Sequence, residues 1–287
     1  MKRIAAVMLA LLLLSGCAWT EPEAEMPSVL PKQTLTVCIP QDRELWLPFV
    51  REFQQRTGIW VRVRTGLRAE DNDVLLDYDP LEPELSLTES VCVGNQVPVI
   101  VCNPQLIRKN APAGLLDLAQ APWQGTLAFA DPASSCFSRN VLALLRTLSP
   151  ETSPEALIRA FSGAVAESVD SSREVLEAVG SGTAAMGLVP ESQALLALEE
   201  GIRLDVIVPG EGRFLLPILA GICSGAPNKE NAGAFLAFLL EEDTQNHLKT
   251  FCRVCPASEK DGISFVPQAH EMENLLGLWE NVREVQP

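Results

Sequence analysis

The chain has 287 residues, with 22 Lys and Arg against 37 Asp and Glu, a formal net charge of −15 and 47% hydrophobic residues. So acidic a balance argues against a nucleic-acid partner, whose phosphates need a basic face, and against a polybasic grip on anionic lipid. Eight cysteines, two histidines and a single tyrosine narrow the available chemistry further.

The chain opens with Lys2 and Arg3, an apolar run over residues 4–14, and then Leu14, Ser15, Gly16 and Cys17. That run is shorter than the roughly 20 residues a membrane-spanning helix needs. A basic head, a short apolar stretch and small residues before a cut site are the layout of an export signal. The Leu-Ser-Gly-Cys ending resembles the bacterial lipobox, which implies cleavage before Cys17 and a diacylglycerol on its sulfur. Residues 1–16 are therefore expected to be a signal peptide, and 17–34, rich in Pro and Glu, a flexible tether. The mature chain is expected on the outer face of a bacterial cell membrane, on the periplasmic side in a Gram-negative cell, held through its lipid alone. Loss of Lys2 and Arg3 takes the net charge to −17.

From residue 35 onward about 250 residues remain, enough for one large or two moderate domains. "LTVCIP" predicts a strand stopped by proline. "DRELWLPFVREFQQRTG" predicts a helix with Leu45, Phe49 and Phe53 on one face, Pro48 in its first turn and Gly58 at its end. "IWVRVRT" alternates as a half-exposed strand; "DVLL" and "VPVIVC" are short buried strands. Pro122 to Gly125 lead into the strand "TLAFA", followed by the helix "SRNVLALLRTL". Helices follow at "SPEALIRAFSGA" and "SSREVLEAVGSG", then strand, turn and helix over "AAMGLVPESQALLALEEG", and a strand with a Gly turn at "IRLDVIVPGEG". "LLPILAGIC" is an apolar crossover, "NKENAGAFLAFLLEEDTQNHLKTF" a helix or helix pair, and the last helix turns Met272, Leu275, Leu276, Leu278 and Trp279 inward. Strands alternating with helices make an α/β fold.

With Cys17 assigned to lipid, Cys38, Cys92, Cys102, Cys136, Cys223, Cys252 and Cys255 remain. An odd number cannot all pair within one chain. Cys38, Cys102 and Cys223 follow apolar runs and read as small buried hydrophobes. Cys252 and Cys255 are close enough in sequence for a short disulfide. Two cysteines with His247 are a weak zinc signal, so no metal and no cofactor are expected.

In order along the chain, "LTVCIPQDRELWLPFVREFQQRTGIWVRVRTG", "WQGTLAFADPASSCFSRNVLALL" and "EGRFLLPILAGICSGAPNKENAGAFLAFLLEEDTQ" resemble segments of the family 1 extracellular solute-binding proteins of ABC importers, nearest the iron, polyamine and phosphonate branches. The resemblance implies a type II periplasmic-binding-protein fold: two α/β lobes, each a sheet flanked by helices, joined by crossover strands, with solute in the cleft. Crossovers are placed near residues 99–102 and 216–222. The first lobe is then 35–101 with 217–250 and the second 102–216; 251–287 is a C-terminal helical segment whose lobe the sequence does not assign. The region "DYDPLEPELSLTESVCVGNQ" is shorter than the family's loop-and-helix region at that place.

On that fold the loop after "TLAFA" lies at a strand's carboxyl end, where ligands of open α/β sheets collect, and at a helix N-terminus, which suits an anion. Ser134 and Ser135 add hydroxyls, one of them as the helix cap. Cys136 lies beside them, and Phe137 offers cover for an apolar part of a ligand. Gln41 and Asp42, Tyr78 and Asp79, and Glu191 and Ser192 sit at other strand ends, and Arg213 precedes the second crossover. These eleven residues are the candidate ligand contacts. A catalytic reading lacks support: the two histidines, His247 and His270, lie far along the chain from the serines, and no Gly-x-Ser-x-Gly elbow is present.

The resemblance implies tyrosinate ligands for the iron branch, which one tyrosine, Tyr78, cannot supply. A polyamine would use Asp42, Asp79 and Glu191 with Trp46 or Phe137 as walls. A small anionic or zwitterionic solute such as a phosphonate would use the serine loop, and that loop is the better-formed signal. The implied partners are the solute and an ABC permease, or else a membrane sensor kinase; a monomer is expected.

Overall fold

The computed structural model describes residues 33–65, 71–79 and 86–285. Cys17, the expected signal and residues 17–32 of the expected tether lie outside the described residues, whereas Thr34, expected as tether, already opens the first strand because it pairs with Trp60. Among the described residues no helix is long and apolar enough to cross a membrane.

The first sheet begins with β1 (Thr34–Cys38), flanked in parallel by β2 (Trp60–Arg64) and β3 (Val74–Leu76). Beyond β3 the partners turn antiparallel: β10 (Phe214–Cys223), β4 (Leu87–Gln96) and β11 (Cys255–Pro256). Helix α1 (Arg43–Thr57) buries Trp46, Phe49, Val50 and Phe53 at helical spacing against this sheet. The buried stripe is thus led by Trp46, with Leu45 half-buried beside it. Pro48 is not in the first turn as the sequence reading had it, because the helix already starts at Arg43; its missing N–H falls inside the helix. Gly58 closes α1 at φ 71°, a left-handed backbone that a Cβ would strain, and returns its N–H to Gln54 O.

The second sheet runs β7 (Val165–Val169), β6 (Leu127–Ala130), β8 (Met186–Pro190), β5 (Pro98–Cys102), β9 (Asp205–Ile207). β5 is apolar throughout because both of its faces are covered: Ile100 and Cys102 join one core, Val99 and Val101 the other. On the first face pack α2 (Cys136–Leu148), α3 (Pro154–Ala164) and the last helix, here α8 (Ala269–Val285), where Phe129 meets Phe161 and Trp279 edge-on, at centroid distances of 5.1 and 5.8 Å, and Phe161 and Trp279 lie tilted at 6.2 Å. On the other face lie α4 (Ser172–Ser181) and α5 (Glu191–Glu199). The expected late helix is a pair, α6 (Lys229–Leu239) and α7 (Glu242–Phe251), and its Phe235, Leu236 and Leu248 belong to the first core.

The molecule is therefore α/β with two sheets, each flanked by helices. The chain leaves the first sheet at Val97, ahead of the expected residues 99–102, because Pro98 already pairs with Pro190. It returns along β10, whose Phe214 and Leu216 are buried in the second core while Ile218, Ala220 and Ile222 are buried in the first. The C-terminal segment divides: β11 pairs with β4 of the first sheet, and Met272, Leu275 and Trp279 of α8 join the second core. The stretch that is shorter than the family pattern holds β4, a strand paired along most of β10.

Cys252 and Cys255 are free thiols rather than a disulfide. Burial pushes both thiols up.

Candidate functional site: two chambers between the sheets

Strand ends of both sheets face each other across a space divided into two chambers. The inner chamber, about 190 Å³, is walled by Gln41 and Asp42 from the loop after β1, Gln96 at the first crossing, Ser134 and Ser135 before α2, and Ser171 and Ser172 at the start of α4. The outer chamber, about 460 Å³, shares Asp42, Gln96 and Ser171 and continues between α1 and the α4–α5 face.

The segment "ADPASS" folds as a tight strand-to-helix turn. Asp131 Oδ1 accepts from the Ala133 N–H at 2.8 Å, and the Asp131 carbonyl accepts from the N–H groups of Ser134 and Ser135 at 3.0 and 2.8 Å. Ser135 caps α2, accepting from the Ser138 N–H at 3.2 Å. Ser134 Oγ donates to the carbonyls of Asp131 and Asp170 at 3.1 and 3.2 Å. At α4 the sequence "SSRE" forms a capping box: Ser171 Oγ accepts from the Glu174 N–H, and Glu174 reaches back to the Asp170 N–H. Two helix starts thus open on one small polar space.

Contacts across this space join the lobes. Gln41 Oε1 accepts from the Cys136 N–H at 3.3 Å. Gln193 Nε2 donates to both Asp42 oxygens at 3.2 and 3.3 Å. Arg139 Nε of α2 stands 2.7 Å from Asp79 Oδ2, with both side chains nearly buried. At the outer rim Arg253 pairs with Glu199.

Carboxyls gather on the first-lobe side. Burial and the nearby Asp42 charge push Asp77 up to about 8, and the Trp46 Nε1–H bond at 3.1 Å partly offsets this. Asp42 keeps an exposed edge but is crowded by protein, which pushes it up, while the Gln193 amide pulls it down. Cys136, the first residue of α2, is enclosed where the lobes meet. Burial, then the Asp79 charge, push its thiol up, so it is a neutral, poorly nucleophilic group.

Of the residues singled out in the sequence, Gln41, Asp42, Ser134, Ser135 and Phe137 line the inner chamber and Ser192 the outer one. Phe137 also belongs to the second core, so only its edge is available. Asp79 faces the other lobe, but in the pair with Arg139. Tyr78 is not brought to the cleft: it is 5% exposed in the first core, its hydroxyl 2.8 Å from Ser90 Oγ. The backbone turns left-handed at Asp77 (φ 56°) just past β3, and from there Tyr78 packs into the first core while Asp79 meets Arg139 of the other lobe. Glu191 and Arg213 are spent on each other at 3.1 Å, and Arg213 also donates to the Asp261 carbonyl at 2.9 Å, so Arg213 is not a free anion contact. The sequence reading missed Gln96, Asp170, Ser171, Ser172 and Gln193; only the "SSRE" capping box carried a local signal. Among the described residues no group of three His, Cys, Asp or Glu side chains is placed to hold a metal ion.

The model of the bacterial extracellular solute-binding protein family matches residues 81–251. The chain belongs to that family. Among solved structures this solute-binding protein is similar to iron-bound HitA from Pseudomonas aeruginosa, at 20% identity and TM-score 0.71, over 87% of this chain and 99% of that one. It is similar to AfuA from Actinobacillus pleuropneumoniae with fructose-6-phosphate bound, at 17% identity and TM-score 0.72, over 88% and 99%. A two-component system protein that mediates signal transduction also matches, at 17% identity and TM-score 0.69, over 79% and 89%. At these identities the likeness establishes the fold: the two-lobed periplasmic-binding-protein architecture. No curated protein matches the sequence.

Proposed function

We propose that this solute-binding protein captures a small anionic or zwitterionic solute between its lobes and delivers it to an ABC importer, while a lipid on Cys17 holds it at the outer face of the cell membrane. The observation that carries this reading is the inner chamber: it lies at the carboxyl ends of strands, both lobes wall it, and two helix N-termini open on it. Solute bound there would be held by both lobes at once, so it would favour the closed arrangement, which a permease can select.

The single tyrosine, buried against Ser90, supports setting aside a tyrosinate iron site even though iron-bound HitA shares the fold. The carboxyls of Asp42 and Asp170 support the polyamine alternative, and the signal-transducing structural relative supports a ligand-presenting role toward a membrane kinase. A thermal-shift screen over phosphonates, amino acids, polyamines and sugars tests the reading. A ligand at 100 times its Kd adds about 2.7 kcal/mol of stability, and a screen in which only polyamines shift the transition would replace the anionic reading. For the anchor, Cys17→Ala should move the protein from the membrane to the soluble fraction; retention at the membrane would count against lipidation.

A further inference from the structure

The two chambers differ in chemistry, and that difference specifies a solute. Resting on the proposed interlobe capture, we infer that the ligand is a small amphiphile: a compact zwitterionic head in the inner chamber and an apolar body in the outer one.

The inner chamber is polar on almost every side, and its walls combine opposite preferences. Asp42 enters from the first lobe and Asp170 from the loop before α4; both carboxyls favour an ammonium group. Beside Asp170, whose carbonyl accepts from Ser134 Oγ at 3.2 Å, is the start of α2, whose positive dipole end favours an acid group. Ser172, 8% exposed, also lines the chamber, where its hydroxyl can meet a ligand oxygen. An anion alone would sit against Asp42 and Asp170, and a cation alone would sit against the helix start; a zwitterion satisfies both.

The outer chamber begins at the same Asp42 and Ser171, so a molecule seated in the first reaches directly into the second. Charged Arg43, Glu44, Arg173, Glu177 and Glu200 line it, and its apolar walls are Leu45, Ile218 and Val254 from the first lobe and Leu176, Leu196 and Ile202 from the second. At 460 Å³ against 190 Å³ it is the larger space. A wholly polar solute would leave these side chains wet, whereas an aliphatic or aromatic body would cover them from both lobes and favour closure. Large apolar amino acids have this shape and charge.

The test is calorimetric titration of the full chain with L-phenylalanine and L-leucine. The comparison compounds are glycine, which has the head alone, 3-phenylpropionate, which lacks the ammonium, and 2-phenylethylamine, which lacks the carboxylate. The apolar amino acids should bind at least tenfold more tightly than each of the three. Leu196→Asp on the half-exposed face of α5 should weaken phenylalanine at least tenfold with the melting transition kept, and Leu45→Asp serves if that variant does not fold. Equal affinity for glycine, or for either singly charged compound, overturns the inference, as does no binding of phenylalanine or leucine. Fructose 6-phosphate, methylphosphonate and putrescine are run alongside. If one of them binds while the amino acids do not, capture between the lobes stands and only the amphiphile inference falls. Should none of the compounds bind, both fail for these solute classes.

Discussion

Asp77 is held neutral by the fold. Its carboxyl is raised from 3.8 to about 8, by burial first and by the Asp42 charge second. An acid raised in this way gives the native state an extra proton between about pH 4 and 8, so its contribution to stability is complete below that window and is lost as pH rises through 8. Asp42 is shifted in the same direction and adds to the trend. Asp77→Asn keeps an acceptor for the Trp46 N–H and removes the titration, so the melting temperature of the variant should fall less than that of wild type between pH 5 and 9 (about 4 pH units). Parallel curves would show that Asp77 ionises normally. The Arg139–Asp79 pair makes a different claim. Removing one partner of a nearly buried pair strands the other charge, which costs about 3–5 kcal/mol. Arg139→Ala should lose about that much in urea unfolding, and the double variant with Asp79→Ala should lose less; a single variant as mild as the double would mean the pair is well solvated. Tyr78, one residue from Asp79, shows how side-chain direction escapes a linear reading. Proximity in sequence placed both in the cleft, and only packing against Ser90 and the first core decides which one faces it.

At the scale of elements, the start of α2 was legible because its signals are local. A strand, an Asp-Pro turn, a capping serine and an amphipathic helix follow one another within about twenty residues. Ser135→Ala should therefore cost about 1 kcal/mol, as loss of an N-cap does, while the same change at Ser134 should cost less because Ser134 caps nothing. Equal losses in chemical denaturation would contradict the assignment of the cap. Strand β4 was not legible. Its Leu87, Thr88, Glu89 and Ser90 are half-exposed or exposed, and what holds them extended is pairing with β10, far away in sequence. The same holds for Arg213 and Glu191, which looked like separate cleft candidates and prove to be one ion pair at the return crossing. Pro48 in α1 shows the converse: the helix extends farther upstream than its proline signalled, since the buried Trp46 and Phe49 hold the first turns in place.

For the whole molecule, the α/β class and the two-lobed fold could be read from the order of segments, because that order carries the crossovers that make two lobes. The chambers could not, because they exist only where loops from both lobes meet. Gln96, Ser172 and Gln193 carry no pattern of their own and come to line the chambers through the crossings at Val97 and β10. Contacts from Gln41 to Cys136, Gln193 to Asp42 and Arg139 to Asp79 join the two lobes. The central claim is that solute sits between the lobes in the inner chamber. Ser134 is exposed and lines that chamber, so Ser134→Trp fills it without disturbing either core. Calorimetric titration of this variant, with the solute that stabilises the wild-type chain most, is the direct measurement. The account predicts a native melting transition in the absence of solute and at least a hundredfold loss of affinity; undiminished affinity would place the solute elsewhere and contradict it.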